Sequence, residues 1–110
     1  MNKRQYEQAV RLLKADCQIT GSLLDDAGQT CAVGCLALAA GVSPRTLKRQ
    51  GGAIDSCTQA GIVKAIRKKF GLELETLCNI QHHNDCNSDR KHRVKMVVLQ
   101  VRNAYKEGKR

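Results

Sequence analysis

Along the chain, stretches with helical hydrophobic spacing alternate with short polar breaks. Tyr6, Val10, Leu13 and Cys17 recur every three or four residues, the spacing of one helical face. Asn2 stands where it can cap that helix and Gln5 where its side chain can reach back, so the pattern predicts a helix over 3–16. The period is lost from Gln18 to Leu24. Asp25-Asp26-Ala27-Gly28 is turn chemistry, and Gln29 to Val33 can return as a second strand, leaving room for a short β-hairpin near 18–33. Such a hairpin needs helices packed on it. From Cys31 to Ala40 every residue is apolar or glycine, which predicts a helix over 31–40, capped by Thr30 and buried all round.

Gly41 ends that helix. Ser43 caps and Pro44 opens a short helix over 44–50, which Gly51-Gly52 stops. Residues 53–57 lead to a helix at about 58–70 with Ile62, Val63, Ile66 and Phe70 on its apolar face and Gly71 as its stop. Leu74, Leu77 and Cys78 mark a short helix over 73–81, with Gln81 on the same face. His82 to Asp89 reads as a polar loop ending in a cap. Val94, Val97, Val98, Val101 and Tyr105 form the face of a last helix over 90–106, whose valine content also suits a strand. The expected fold is mainly α, about five helices in a single domain spanning 1–110.

Charge adds a second pattern. Nineteen basic residues against ten acidic ones give a net charge of +9. Residues 1–43 carry four of each sign, whereas 44–70 carry seven basic and one acidic and 90–110 carry eight basic and one acidic. Segregation of this kind favours a polyanion or an acidic protein surface as partner. The three aromatic residues, Tyr6, Phe70 and Tyr105, are too few for a single-stranded nucleic-acid platform built on base stacking. No apolar run approaches the length of a membrane span. The N-terminal MNKRQYEQAVRLLK is basic without an apolar h-region, which points away from a signal peptide and toward the cytoplasm of a bacterial host cell. The six cysteines mostly fall in apolar helical patterns and read as reduced core residues.

Ala37-x-x-x-Gly41-Val42-Ser43-x-x-Thr46-Leu47-x-Arg49 resembles the turn and second helix of helix-turn-helix regulators, particularly those of the AraC type. Ala lets two helices approach, Gly supplies the positive φ of the turn, Val42 and Leu47 pin the second helix, and Ser43 caps it. The resemblance implies that Arg45, Thr46, Lys48 and Arg49 face a major groove or its phosphates. The glycine pair leaves that helix about two turns, at roughly 3.6 residues per turn.

Cys31-Ala32-Val33-Gly34-Cys35-Leu36, Gly71-Leu72, Ile80 and Asn84-Asp85, followed by a final amphipathic helix, resemble a family of small uncharacterised phage and prophage proteins. The likeness covers most of 20–106; Cys35 stands where Ala is more usual, and His82-His83 departs from the usual residues before Asn-Asp. The resemblance carries no activity with it. Physically, Cys31 fits a small buried residue at a helix start, Gly34 admits another backbone, and Asn84 and Asp85 can bond free N–H groups at a helix start.

Two chemical alternatives arise. Cys78-x3-His82-x3-Cys86 spaces three zinc-type ligands at i, i+4 and i+8, without the usual C-x2-C knuckle. Cys31 at a helix N-terminus, with His82 or His83 and Asn84 or Asp85 downstream, has the components of a cysteine hydrolase. On the buried-thiol reading, Cys31→Ser is expected to cost stability by burying a hydroxyl. No cofactor is expected. The chain reads as a binding protein of phage or prophage type. Its expected partner is a host or defence protein with an acidic or nucleic-acid-binding surface, and the alternative is duplex DNA. Lys64, Arg67, Lys68, Lys69, Arg90, Lys91 and Arg93 join Arg45, Thr46, Lys48 and Arg49 as the expected binding residues.

Overall fold

The computed structural model describes residues 1–50 and 60–108. Among them are six helices, one for each helical segment read from the sequence: α1 (Lys3–Ala15), α2 (Ala32–Ala39), α3 (Pro44–Gln50), α4 (Ala60–Phe70), α5 (Leu74–Asp85) and α6 (Arg90–Gly108). The expected connection at 53–57, the Gly51-Gly52 stop and the first residues of the 58–70 helix lie outside the described residues, as do the side chains of Arg49 and Gln50. No helix is long and apolar enough to cross a membrane.

α2 is the centre of the packing. Ala32 through Ala37 are all buried, and α1, α4 and α5 pack around them. A helix with no polar face can only be satisfied by neighbours on every side. α1 and α6 run antiparallel: Tyr6 stacks on Tyr105 with ring centroids 4.4 Å apart, while Arg90 reaches the other end of α1. α5 and α6 form a helical hairpin through residues 86–89. Phe70, Leu72, Leu77, Ile80, Val97 and Val101 complete the core with Leu13, Leu23 and Leu36.

The predicted capping box of α1 is present: Gln5 N donates to Asn2 Oδ1 at 2.8 Å and Asn2 N to Gln5 Oε1 at 2.9 Å. The hairpin near 18–33 contracts to one antiparallel bridge, Leu24 with Thr30, around the Asp25–Gly28 turn. No strand occurs among the described residues. The segment's amides go elsewhere: Gln18 N donates to Thr30 O at 2.7 Å and Gly21 N to the Asp85 carboxylate at 3.1 Å. Three other expectations need correction. The cap of α2 is Cys31, not Thr30. The helix expected over 73–81 continues through His82, His83 and Asn84 to Asp85, because Asn84 and Asp85 find partners across the core instead of bonding their own backbone. The last segment is helical throughout, since its valines pack on α1 and α5.

Candidate functional site

Four of the resemblance-bearing residues, Cys31, Gly34, Asn84 and Asp85, meet at one junction where α2 begins, whereas Gly71 lies elsewhere, against Met1. Cys31 has extended backbone angles (φ −81°, ψ −177°) and caps the helix with its thiol, which accepts from Gly34 N at 3.3 Å. The thiol donates in turn to Gln81 Oε1 at 3.6 Å. Gln81, Asn84 and Asp85 lie at i, i+3 and i+4 of α5 and so share one face. Asn84 Oδ1 accepts from Ala32 N at 3.0 Å and from the Cys17 thiol at 3.2 Å. Asn84 Nδ2 donates to Ile19 O at 3.2 Å and to Asp85 Oδ1 at 3.0 Å. Four bonds use the amide's whole capacity. Gln81 Nε2 closes the network on Asp85 Oδ2 at 3.0 Å. Gln81 and Asn84 are fully buried, and among the described residues no buried side-chain nitrogen or oxygen lacks a partner.

Gly34 is dictated by the same junction. A Cβ built there would fall inside the Leu23 carbonyl, so only glycine lets the 20s segment lie against α2.

This arrangement keeps its thiols protonated. Burial pushes Cys31 up to about 12, against the smaller opposing influence of the Gly34 amide. Burial pushes Cys17 up to about 11, although Arg93 and Arg90 pull it down, and burial raises Cys35 well above its ordinary value. The nucleophilic form of cysteine is the thiolate. The imidazole expected to activate Cys31 is elsewhere: His82 is exposed and stands beside Cys86, 3.8 Å from its sulfur. His83 lies edge-on to His82. The hydrolase components are therefore not assembled at Cys31. Cys78 is half-buried and Cys86 exposed; among the described residues no three His, Cys, Asp or Glu side chains form a group that could hold a metal ion.

Of the residues expected on the binding surface, Arg93 is buried and Arg90, though exposed, is tied to backbone carbonyls. Arg93 is 5% exposed. Its Nε donates to Asn87 O at 2.9 Å, Nη1 to Cys17 O at 3.1 Å and Nη2 to Ser88 O at 2.8 Å. Arg90 reaches across to the last carbonyls of α1, donating to Lys14 O and Asp16 O at 2.9 Å each and to Ala15 O at 3.3 Å. Arg90 thus satisfies carbonyls at the end of α1 that a C-terminal cap would otherwise serve. Cys17 takes the left-handed conformation there, with φ +55°, a strain of roughly 1–2 kcal/mol for a residue with a Cβ.

The remaining basic residues lie outside. At the α2–α3 turn Gly41 has φ +95° and Val42 N donates to Ala37 O at 3.0 Å. Ser43 Oγ accepts from Thr46 N at 3.2 Å, and Leu47 is fully buried. Arg45, Thr46 and Lys48 are exposed. Lys64, Lys68 and Lys69 of α4 share an open depression of about 500 Å³ with Ala40 of the turn. Arg67 points to another side and pairs with Glu73 at 3.1 Å. Lys91 belongs to a third place, a groove between α1 and α6 that it lines with Lys14, Lys95 and Arg102. Sequence reasoning overlooked Cys17 and the polar role of Gln81; the available signal was a glutamine at i+4 from the core residue Leu77, where the helical face calls for an apolar side chain.

Compared with protein-family models, curated proteins and solved structures, the chain finds no match.

Proposed function

We propose that this protein is a phage- or prophage-type accessory protein that acts by binding an anionic surface on a host or defence protein. One observation carries the reading: among the described residues Cys17, Cys31, Gln81 and Asn84 are consumed in the buried junction, while most of the cations are left outside. Among the described residues only two ion pairs form, Lys3 with Glu7 and Arg67 with Glu73. Lys48, Lys64, Lys68, Lys69, Lys91 and Lys95 stand exposed. Such a surface steers an acidic partner and suppresses basic ones.

A second reading, a helix-turn-helix contact with duplex DNA, is favoured by a specific arrangement. Ala40, at the start of the α2–α3 turn, borders the same depression as Lys64, Lys68 and Lys69 of α4, and Arg45, Thr46 and Lys48 are exposed on the helix that follows the turn. Arg45 and Lys48 would then set sequence preference, since base contacts specify and phosphate contacts position. A pull-down from bacterial lysate with and without nuclease separates the two. A protein retained after nuclease, and released by rising salt, supports the first reading. A sequence-selective shift of a short duplex, abolished by Arg45→Ala, replaces it with the second.

A further inference from the structure

The groove between the C-terminal end of α1 and the outer stripe of α6 has an apolar floor and a basic rim. Lys91, Val94, Lys95, Leu99 and Arg102 recur at helical spacing along α6, and Lys14 closes the groove from α1. Its volume is about 360 Å³. Leu99 is 38% exposed, one of two large hydrophobic side chains left open among the described residues. The lining residues include four cations and no carboxylate. None of the four forms an ion pair among the described residues; Arg102 Nε donates to the Tyr6 hydroxyl at 3.4 Å.

The stripe from Lys91 to Arg102 is about 16 Å long at 1.5 Å rise per residue, and its apolar floor from Val94 to Leu99 about 8 Å, which matches one to two turns of a docked helix with cations at either end. Its rim selects the charge of what lies there. We infer that the α1–α6 groove docks an acidic amphipathic helix of a partner protein. Leu99 and Val94 receive its apolar side chains, and Lys14, Lys91, Lys95 and Arg102 meet the carboxylates that flank them, the groove-and-helix mode of peptide recognition. This rests on the protein-binding reading above and names the surface and the partner's chemistry. A nucleic acid has no apolar stripe to fill the floor, and a flat membrane fits a groove less well than a helix.

The test uses a fluorescein-labelled synthetic helix of about sixteen residues, long enough to be helical in water, with leucines on one face and glutamates beside them. Fluorescence anisotropy is expected to show binding that weakens with salt. Leu99→Asp should weaken it at least about tenfold, the scale of losing a central anchor, with the melting temperature unchanged. Lys95→Glu should weaken it and flatten the salt dependence, which covers the case in which the Leu99 variant fails to fold. Lys64→Glu with Lys68→Glu, on the far basic face, should leave it within about twofold. The proposal is overturned if the peptide does not bind, if a version with serines for leucines binds as well, or if the far-face variant loses as much. It is equally overturned if a short DNA duplex or phosphatidylserine vesicles occupy the groove in a Leu99-dependent way. A nuclease-resistant partner from lysate that Leu99→Asp still captures would leave the protein-binding reading standing and remove this groove from it.

Discussion

Arg93 and Lys91 sit two residues apart on α6 and belong to different parts of the molecule. Arg93 gives all three of its bonded groups to backbone carbonyls of Cys17, Asn87 and Ser88. Lys91 is exposed and lines a groove. The same contrast separates the whole junction at the start of α2 from the outer basic faces. Inside, Cys17, Cys31, Gln81, Asn84 and Asp85 answer one another's hydrogen bonds. Outside, the cations have few partners of their own. The lesson is that residue types which suggest chemistry hold the 16–21 and 23–31 segments to the helices, while residues with no special signature are the ones free to meet another molecule.

The contrast can be broken most severely at Gly34. Gly34→Ala drives a Cβ into a backbone carbonyl that cannot move aside without shifting α2, so loss of about 3 kcal/mol or more is expected, read as failure to give a cooperative thermal transition. Asn84→Ala comes next. It leaves the Ala32 amide buried without an acceptor and cuts the Ile19 tie, and is expected to cost about 2–4 kcal/mol by urea denaturation. A loss under about 0.5 kcal/mol would mean that the network adds nothing to the fold.

Arg93→Lys sharpens the comparison along one helix. Lysine cannot reproduce the planar fork that serves three carbonyls, so a loss of roughly 2 kcal/mol is expected, at about 1 kcal/mol per hydrogen bond lost. Lys91→Ala, by contrast, should stay within about 0.5 kcal/mol. Equal effects would erase the distinction between the two regions.

The thiols give a pH signature. Cys17 and Cys31 are raised in the folded protein, to about 11 and about 12, above an ordinary value of 9.0. The folded state therefore holds protons that the unfolded chain releases, so stability is fully present below pH 9 and falls as pH climbs toward the folded values. Equilibrium unfolding between pH 8 and 11 should show that decline, and Cys17→Ala should flatten it. Native-state alkylation should mark the exposed Cys86 and spare Cys17, Cys31 and Cys35.

The smallest effect is expected at Cys31→Ser. The sequence-level expectation was a penalty for burying a hydroxyl, but the junction already supplies a donor in Gly34 N and an acceptor in Gln81 Oε1, and serine is a preferred helix cap. Within about 0.5 kcal/mol of the native protein is the expected outcome, whereas Cys31→Ala should cost about 1 kcal/mol through loss of the cap. If Cys31→Ser folds normally and abolishes partner binding, the thiol has a role that the junction does not explain.

Local pattern was enough for the helices. The capping box at Asn2 and Gln5, the apolar run of α2, the Gly41-Val42-Ser43 turn and the faces of α4 and α6 each depend on neighbours a few residues away, and each is visible in the order of residues. The grouping of Cys31, Gly34, Asn84 and Asp85 was also legible, through a resemblance and through the plain need of a helix start for acceptors. What the sequence could not sort was one arginine from another, or a bonded asparagine at the end of a helix from one in a loop. Arg90 and Arg93 look like Lys91 and Lys95 in a basic run, and only packing brings Cys17 O and the end of α1, more than seventy residues earlier in the chain, within their reach. Asn84 and Asp85 read as a loop because such side chains compete for nearby backbone; they stay helical because α2 and the 19–21 segment supply partners from far along the chain. Hydrophobic period and capping are short-range and so are written locally, whereas the satisfaction of buried polar groups is decided by which distant backbones the fold brings together.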